Sequence, residues 1–266
     1  MAGIRKRMEL LSDNPYKQVN INWLKLKYYK HLAPGKLRKH TMFGSDVYFV
    51  SPGELLHGLE EIFVDNIYKQ QLKESPYIID CGANIGLSII YIKQAYPKAE
   101  ILAFEPDEKN FSLLSKNMKS FGLSNITLRN EAVWVQNTKL KFFNDGSMGS
   151  KIDEENSNTS HEVQAIRLKD FLVKDIDFLK IDIEGAEFKV LSDLGNNLHF
   201  VKNLFVEYHG SYQQNSELTE LFEIFSENGF SYYIKEATEV YSTPFLRIKK
   251  PGIPYDVQLN IFCFRL

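Results

Sequence analysis

Cysteine is scarce in this chain: Cys81 and Cys263 are the two in 266 residues. They are far apart and each falls inside a predicted strand. That spacing makes neither a disulfide framework nor a cysteine-rich metal cluster, and the pair reads as buried thiols in a reducing cytosol. Long apolar runs are missing too. None approaches membrane-spanning length, and the first residues lack the apolar centre of a secretory leader, so the expectation is a soluble, cytoplasmic protein. Charge excess is also absent: 32 Lys+Arg stand against 34 Asp+Glu, a net charge of −2. That near-balance excludes the global basicity of a nucleic-acid binder. No internal repeat and no low-complexity tract is visible.

What is present suits a single α/β domain with an N-terminal addition. Apolar residues make up 44% of the chain, enough for a sizeable core. Basic residues gather only in the first forty positions (Arg5, Lys6, Arg7, Lys17, Lys25, Lys27, Lys30, Lys36, Arg38 and Lys39). They read as a solvated helix face, with a patch for an acidic substrate or a membrane surface as the sharper alternative.

In chain order, residues 1–14 form a lead-in. Ile21, Leu24, Tyr28 and Leu32 give one apolar helical face between Tyr16 and Leu32, ended by Pro34-Gly35. Leu37–Thr41 and Val47–Val50 read as a hairpin. Ser51-Pro52-Gly53-Glu54 opens a helix as a capping box, and that helix is expected to lead directly into the first core strand. Strands then alternate with helices: one opening Tyr77–Gly86, then Glu100–Phe104, Ile126–Arg129, Asp177–Ile183, Asn203–Tyr208, Phe230–Ile234 and Asn260–Arg265. Such alternation predicts a mostly parallel, doubly wound sheet. Lys139–Phe143 and Val163–Leu168 interrupt it as an added β pair. The long polar stretch between them, 144–161, reads as a flap beside the site, with an idle surface loop as the alternative.

The chain is organised around Tyr-Ile-Ile-Asp-Cys-Gly-Ala-Asn-Ile-Gly at 77–86, a strand, tight turn and helix start. Gly82 supplies the turn and close ligand approach, and Gly86 lets the helix pack on the strand. The spacing Gly82-Ala83-Asn84-Ile85-Gly86 is not the Gly-x-Gly-x-x-Gly of dinucleotide sites. A carboxylate at Asp80 is poorly placed beside a pyrophosphate and better placed for the cationic ammonium of S-adenosylmethionine. Glu105, at the end of the next strand, is placed to accept ribose hydroxyls, with Pro106 fixing the chain direction after it. Glu131-Ala132 would lie along the adenine.

The densest polar cluster is Lys180-Ile181-Asp182-Ile183-Glu184-Gly185-Ala186-Glu187. Alternation puts Lys180, Asp182 and Glu184 on one strand face. A lysine inside a parallel strand is costly unless paired, and Asp182 is its natural partner. Glu187 reads first as a helix N-terminal acid. Glu207 and His209 share a direction on the neighbouring strand, and a histidine beside carboxylates can take a proton from a hydroxyl. Asp182, Glu184, Glu207 and His209 could instead hold Mg²⁺ or Ca²⁺.

Together Ile79–Gly86, Phe104-Glu105-Pro106, Lys180–Glu187 and Glu207-Tyr208-His209 resemble the FkbM family of S-adenosylmethionine-dependent methyltransferases, over about 77–210. The resemblance implies the class I methyltransferase (Rossmann-like) fold, a mostly parallel seven-stranded sheet with a reversed last strand. It implies O-methylation, often of a sugar hydroxyl in a glycan or natural product. The expected organisation is an N-terminal extension at 1–75 with a methyltransferase domain at 76–266. The expected cofactor residues are Asp80, Gly82, Ala83, Asn84, Gly86, Glu105, Pro106, Glu131 and Ala132. The expected catalytic residues are His209, as first choice of base, with Asp182, Glu184, Lys180 and Glu207. The acceptor is a glycan or small molecule rather than nucleic acid, no metal site is assigned, and both the need for a divalent ion and the oligomeric state are open. The competing readings are a metal-dependent O-methyltransferase and a non-catalytic cofactor- or glycan-binding module. A base N-methyltransferase and a nicotinamide enzyme fit less well: the former lacks its Asn-Pro-Pro-Tyr-type loop, and the latter lacks its turn spacing.

Overall fold

The computed structural model describes residues 14–143, 151–152 and 160–266. These divide into two compact units. The first holds the residues up to Gln71 with Ala83–Pro97 and Lys109–Ser124; the second holds Leu72–Gly82, Lys98–Glu108 and Asn125–Leu266. Among the described residues no helix is long and apolar enough to cross a membrane.

In the first unit, helix α1 (Trp23–Lys30) is shorter than the sequence pattern suggests. A 3₁₀ turn at Pro15–Val19 ends at Asn20, which is left-handed at φ +58°. Asn22 then starts α1 by accepting the Lys25 N–H at 2.9 Å. The two asparagines bond locally and break the helical period. Tyr16, Val19, Ile21 and Tyr29 are therefore buried, whereas Leu24 and Tyr28, expected inside, are exposed.

Strands β1 (Arg38–Met42) and β2 (Ser45–Phe49) pair antiparallel around Phe43 and Gly44, both at positive φ, the geometry of a tight primed turn. Helix α2 (Pro52–Leu59) is capped by Ser51, as the capping box predicts. It ends in a π turn at Glu60–Val64 and does not run into the core strand: Asn66 turns left-handed, and residues 65–76 intervene. Helices α3 (Leu87–Ala95) and α4 (Glu108–Ser120) complete the unit. Fully buried Asn117 of α4 bonds both backbone groups of Tyr48 and the Ile85 carbonyl, tying the hairpin to the turn before α3.

The second unit carries the seven-stranded sheet. Its strands are β3 (Tyr77–Cys81), β4 (Glu100–Phe104), β5 (Ile126–Arg129), β10 (Ile176–Ile181), β11 (Val201–Gly210), β12 (Ser231–Glu236) and β15 (Val257–Phe264), in the order β12-β15-β11-β10-β3-β4-β5. β15 runs antiparallel to both neighbours, and β3, β4, β5, β10 and β11 are parallel. The fold is therefore the mixed, largely parallel class I methyltransferase sheet. A second sheet inserts after β5: β6 (Ala132–Trp134), β7 (Thr138–Phe143), β8 (Lys151–Ile152) and β9 (Ser160–Arg167), in the order β6-β9-β7-β8. The expected β pair is thus present and extended by two strands. Ser160 and His161 belong to β9, and β8 pairs with β7. The remainder of the stretch read as a flap, 144–150 and 153–159, lies outside the described residues, as do residues 1–13 of the lead-in. A short hairpin, β13 (Tyr241–Thr243) and β14 (Ile248–Lys249), precedes β15.

Alternation gives the central strands two unlike faces. Ile79, Cys81, Leu179, Ile181, Leu204, Val206 and Tyr208 point into an apolar core with Val190, Leu191 and Leu194 of α5 (Glu187–Leu194) and Leu221 and Phe225 of α6 (Asn215–Glu227). Both cysteines are buried free thiols in strands, as expected. The other face carries Asp80, Lys180 and Phe205 in register across β3, β10 and β11, with Glu207 and His209 further along β11.

Candidate active site

Lys180 and Asp80 are direct register partners on adjacent strands. The Lys180 ammonium lies 3.5 Å from Asp80 Oδ1 and 3.1 Å from Asp182 Oδ2, and it donates to the Gly82 carbonyl at 2.8 Å. Asp80 and Lys180 are both buried. A buried lysine needs such company, because an unpaired ammonium away from water is strongly disfavoured. The Lys180–Asp182 pair matches the sequence expectation. Asp80, expected beside a ligand ammonium, already faces the ammonium of Lys180.

Gly82 turns at φ +85°, and a Cβ there would collide with the Asp182 carbonyl. Its requirement is thus close packing against the end of β10, a tighter constraint than the ligand approach read from the sequence. Gly86, at φ +92°, would place a Cβ 2.6 Å from Met118 Cε and 2.7 Å from Leu114 Cδ1. It makes room for α4 side chains, where the sequence suggested room for a strand. Asn84 is left-handed at φ +49°, a conformation asparagine tolerates. Ala83 is buried.

After Ile181 the chain leaves the strand two residues earlier than the pattern suggests. Asp182 N–H still bonds the Cys81 carbonyl at 3.1 Å, but Glu184 is left-handed at φ +57° and Gly185 follows at φ +99°. A glutamate there is strained by about 1 kcal/mol or more. Glu187 and Tyr255 hold the turn. The Glu187 carboxylate accepts the Ile183 N–H at 3.1 Å and the Gly185 N–H at 3.1 and 3.0 Å, and the Tyr255 hydroxyl donates to the Glu184 carbonyl at 2.8 Å.

His209 lies inside β11, opposite Gln258 of β15, because the antiparallel ladder continues through Gly210. The sequence had placed it just beyond the strand. Its Nδ1 is 3.2 Å from Glu187 Oε1, and its Nε2 is 3.5 Å from Glu207 Oε1 and 3.8 Å from Glu184 Oε2. A carboxylate can only accept, so Nδ1 carries the hydrogen towards Glu187. The Tyr255 ring covers the imidazole at 4.7 Å between centroids. Burial by itself would push the imidazole pKa down. The Glu187, Glu207 and Glu184 carboxylates outweigh it and hold the pKa well above the ordinary histidine value. Burial pushes the Glu184 carboxyl up, helped by Asp182 and Glu187 and opposed by His209. Burial and the neighbouring carboxylates likewise push the Tyr255 phenol up. Asp182, Glu207 and His209 each offer a ligand atom within 4.8 Å of the others.

The structure therefore gathers Asp80, Gly82, Lys180, Asp182, Glu184, Glu207 and His209. Glu105 and Glu131 are engaged elsewhere. Glu105 is buried at the end of β4, where its Oε1 accepts the Asp107 N–H at 2.9 Å. Asn130 donates to the carbonyls of Glu105 and Pro106. Both Glu131 oxygens accept from Arg129, and Ala132 packs with Val163 and Ala165 of the second sheet. The sequence reading missed Glu187 as a histidine partner and missed Tyr255 altogether. The signal for Glu187 was its place two residues after Gly185, within the polar cluster. Tyr255 carried none, since it arrives from the far end of the chain.

Known proteins resolve the identity of the fold's chemistry. A family model, the methyltransferase FkbM domain, matches residues 80–232, more than half of the chain. The chain belongs to the FkbM methyltransferase family. It is 30% identical over 182 residues to methyltransferase 1 of Beauveria bassiana, covering 58% of this chain and 72% of that one. It is 32% identical over 77 residues to 31-O-demethyl-FK506 methyltransferase FkbM of Streptomyces tacrolimicus, 28% of this chain and 30% of that. The crystal structure of methyltransferase FkbM from Methylobacillus flagellatus superposes with a TM-score of 0.51 at 16% identity. It covers 73% of this chain, which spans 45% of that longer one. This protein is accordingly a methyltransferase.

Proposed function

We propose that this methyltransferase uses S-adenosylmethionine to methylate a hydroxyl, one carried by a sugar in a glycan or glycosylated natural product. The observation that carries the reading is His209, buried at the carboxyl end of β11 with Nδ1 fixed by Glu187 and Nε2 turned towards Glu184 and Glu207. The relative from Streptomyces tacrolimicus is named for transfer to an oxygen, which supports the same chemistry. The charge of the site suits a cationic methyl donor. Five carboxylates (Asp80, Asp182, Glu184, Glu187 and Glu207) face one lysine, Lys180, and the imidazole of His209.

Bound S-adenosylmethionine supplies a methyl group on positively charged sulfur. The residues that would hold it are Gly82, Ala83, Asn84 and Gly86 for the methionine end, Glu105 with Pro106 for the ribose, and Glu131-Ala132 for the adenine. Asp80 holds Lys180 in place, and Lys180 in turn orients Asp182. Neutral His209 takes the acceptor proton at Nε2 while Glu187 keeps the hydrogen on Nδ1. Positioning supplies most of the acceleration, since methyl transfer needs little covalent help. The near-neutral net charge argues for a non-nucleic-acid acceptor, and the two buried thiols suit a reducing cytosol.

The test uses labelled S-adenosylmethionine with a panel of cell-envelope glycans. His209→Ala is expected to lower turnover by about 100-fold or more and to leave S-adenosylhomocysteine affinity within about twofold. An unchanged rate removes His209 as the base. A second reading is metal-assisted transfer through Asp182, Glu207 and His209, favoured by their 4.8 Å grouping. Lys180 already provides a cation at Asp182, so activity is expected to survive exhaustive chelation; its loss and recovery with Mg²⁺ would establish the metal reading.

A further inference from the structure

Beyond His209 the two strands that hold it continue into a second, separate group of side chains. Gly210 closes β11, and its carbonyl accepts the Asp256 N–H at 2.9 Å. Asp256 follows Tyr255, whose ring covers His209, and stands just before β15. The Asp256 carboxylate organises three neighbours. Oδ2 accepts the Tyr212 N–H at 3.2 Å. Oδ1 accepts the Tyr241 hydroxyl at 2.9 Å and the Lys249 ammonium at 3.1 Å. Tyr241 and Lys249 are register partners in the β13–β14 hairpin. Held in this way, the rings of Tyr212 and Tyr241 lie almost parallel, 13° apart, with centroids separated by 6.0 Å.

Core packing does not account for this arrangement, because Tyr212 is 48% exposed. The exposed Tyr212 ring, backed by the stacked ring of Tyr241, offers a flat, weakly polar face. The C–H face of a pyranose packs well on such a surface, and its hydroxyls need donors and acceptors at the rim. The rim provides them: an ammonium donates three hydrogens, of which Lys249 directs two to Asp256 and the Pro254 carbonyl. Rigid aromatic area framed by a fixed charge pair is a binding surface with little entropy left to lose.

We propose that Tyr212 and Tyr241, braced by Asp256 and Lys249, form the acceptor platform of the enzyme, taking a pyranoside ring and presenting one of its hydroxyls towards His209. This rests on the O-methyltransferase reading above and specifies its acceptor side.

The test is saturation-transfer NMR with methyl glucopyranoside, galactopyranoside and mannopyranoside on the full chain in the presence of S-adenosylhomocysteine. At least one pyranoside is expected to receive saturation from the wild type through its ring C–H protons. Tyr212→Ala is expected to bind it about tenfold more weakly, the loss of one aromatic face, and Tyr212→Phe is expected to retain binding. No transfer from the wild type to any of the three, or equal binding by Tyr212→Ala, overturns the platform. S-adenosylhomocysteine titrated into the same samples separates the two claims. If it fails to bind while Tyr212-dependent pyranoside binding persists, the methyl-donor reading falls and the platform stands.

Discussion

Replacing Glu187 by glutamine keeps the shape of the side chain and removes its charge. At 3.2 Å from His209 Nδ1, the bare attraction between carboxylate and imidazolium is about 5 kcal/mol at an effective dielectric constant of about 20, and burial of both ions cancels much of it. What survives is a charge-assisted hydrogen bond of about 1.5–3 kcal/mol. Its loss lowers the imidazole pKa. Glu207 and Glu184 remain, so part of the elevation persists. Only neutral His209 can accept a proton, so wild-type kcat/KM is expected to rise with pH through neutrality and to level off above the elevated pKa. In Glu187→Gln the rising limb is expected to move to lower pH. The plateau is expected to fall about tenfold or more, because an amide no longer fixes the Nδ1 hydrogen. The profile is measured with saturating donor, and the His209 carbon resonance is followed by NMR in the same range. A folded Glu187→Gln protein whose limb does not move refutes the Glu187–His209 coupling.

Three other outcomes follow from the same geometry. Lys180→Met leaves Asp80 and Asp182 without their shared cation and is expected to cost about 3–5 kcal/mol in denaturant unfolding; a loss below about 1 kcal/mol would mean the pair is solvated in solution. Gly82→Ala meets the Asp182 carbonyl from a left-handed backbone and is expected to destabilise by at least about 2 kcal/mol, read as a lower melting temperature. The His209 pKa is raised in the folded state, so its contribution to stability is complete below the ordinary histidine value and is lost as pH rises through the elevated one. Melting temperature should therefore fall across that window in the wild type and fall less in His209→Ala, and equal slopes would refute the assignment.

Much of the sheet was legible because its strands are short apolar runs closed by turn residues, and a parallel sheet requires that pattern. β4 and β5 begin and end where the sequence placed them. The polar residues of one sheet face could be read too, since Lys180, Glu207 and His209 each break an apolar run where the alternation exposes them. Lys180 pairing with Asp182 follows from sequence separation. Its pairing with Asp80 depends on strand order, which no local pattern contains. The N-terminal helix was misread for a local reason: Asn20 and Asn22 outweigh the apolar period around them. Tyr255 was invisible because its role depends on β15 returning antiparallel beside β11. Glu187 was visible as an acid at a helix start, and the histidine it holds comes from a different strand.

Glu187 also joins two features that would otherwise be independent. The turn at Glu184 and Gly185 is strained, and the carboxylate that satisfies its amides is the same one that fixes His209. Loosening the turn therefore moves the histidine, and changing the histidine's charge changes the load on the turn. The strain persists because Glu187 from α5 and Tyr255 from before β15 both hold it, one through amides and the other through a carbonyl. The platform at Tyr212 and Tyr241 hangs from the same two strand ends through Asp256, so a bound ring is referenced to the backbone that carries His209.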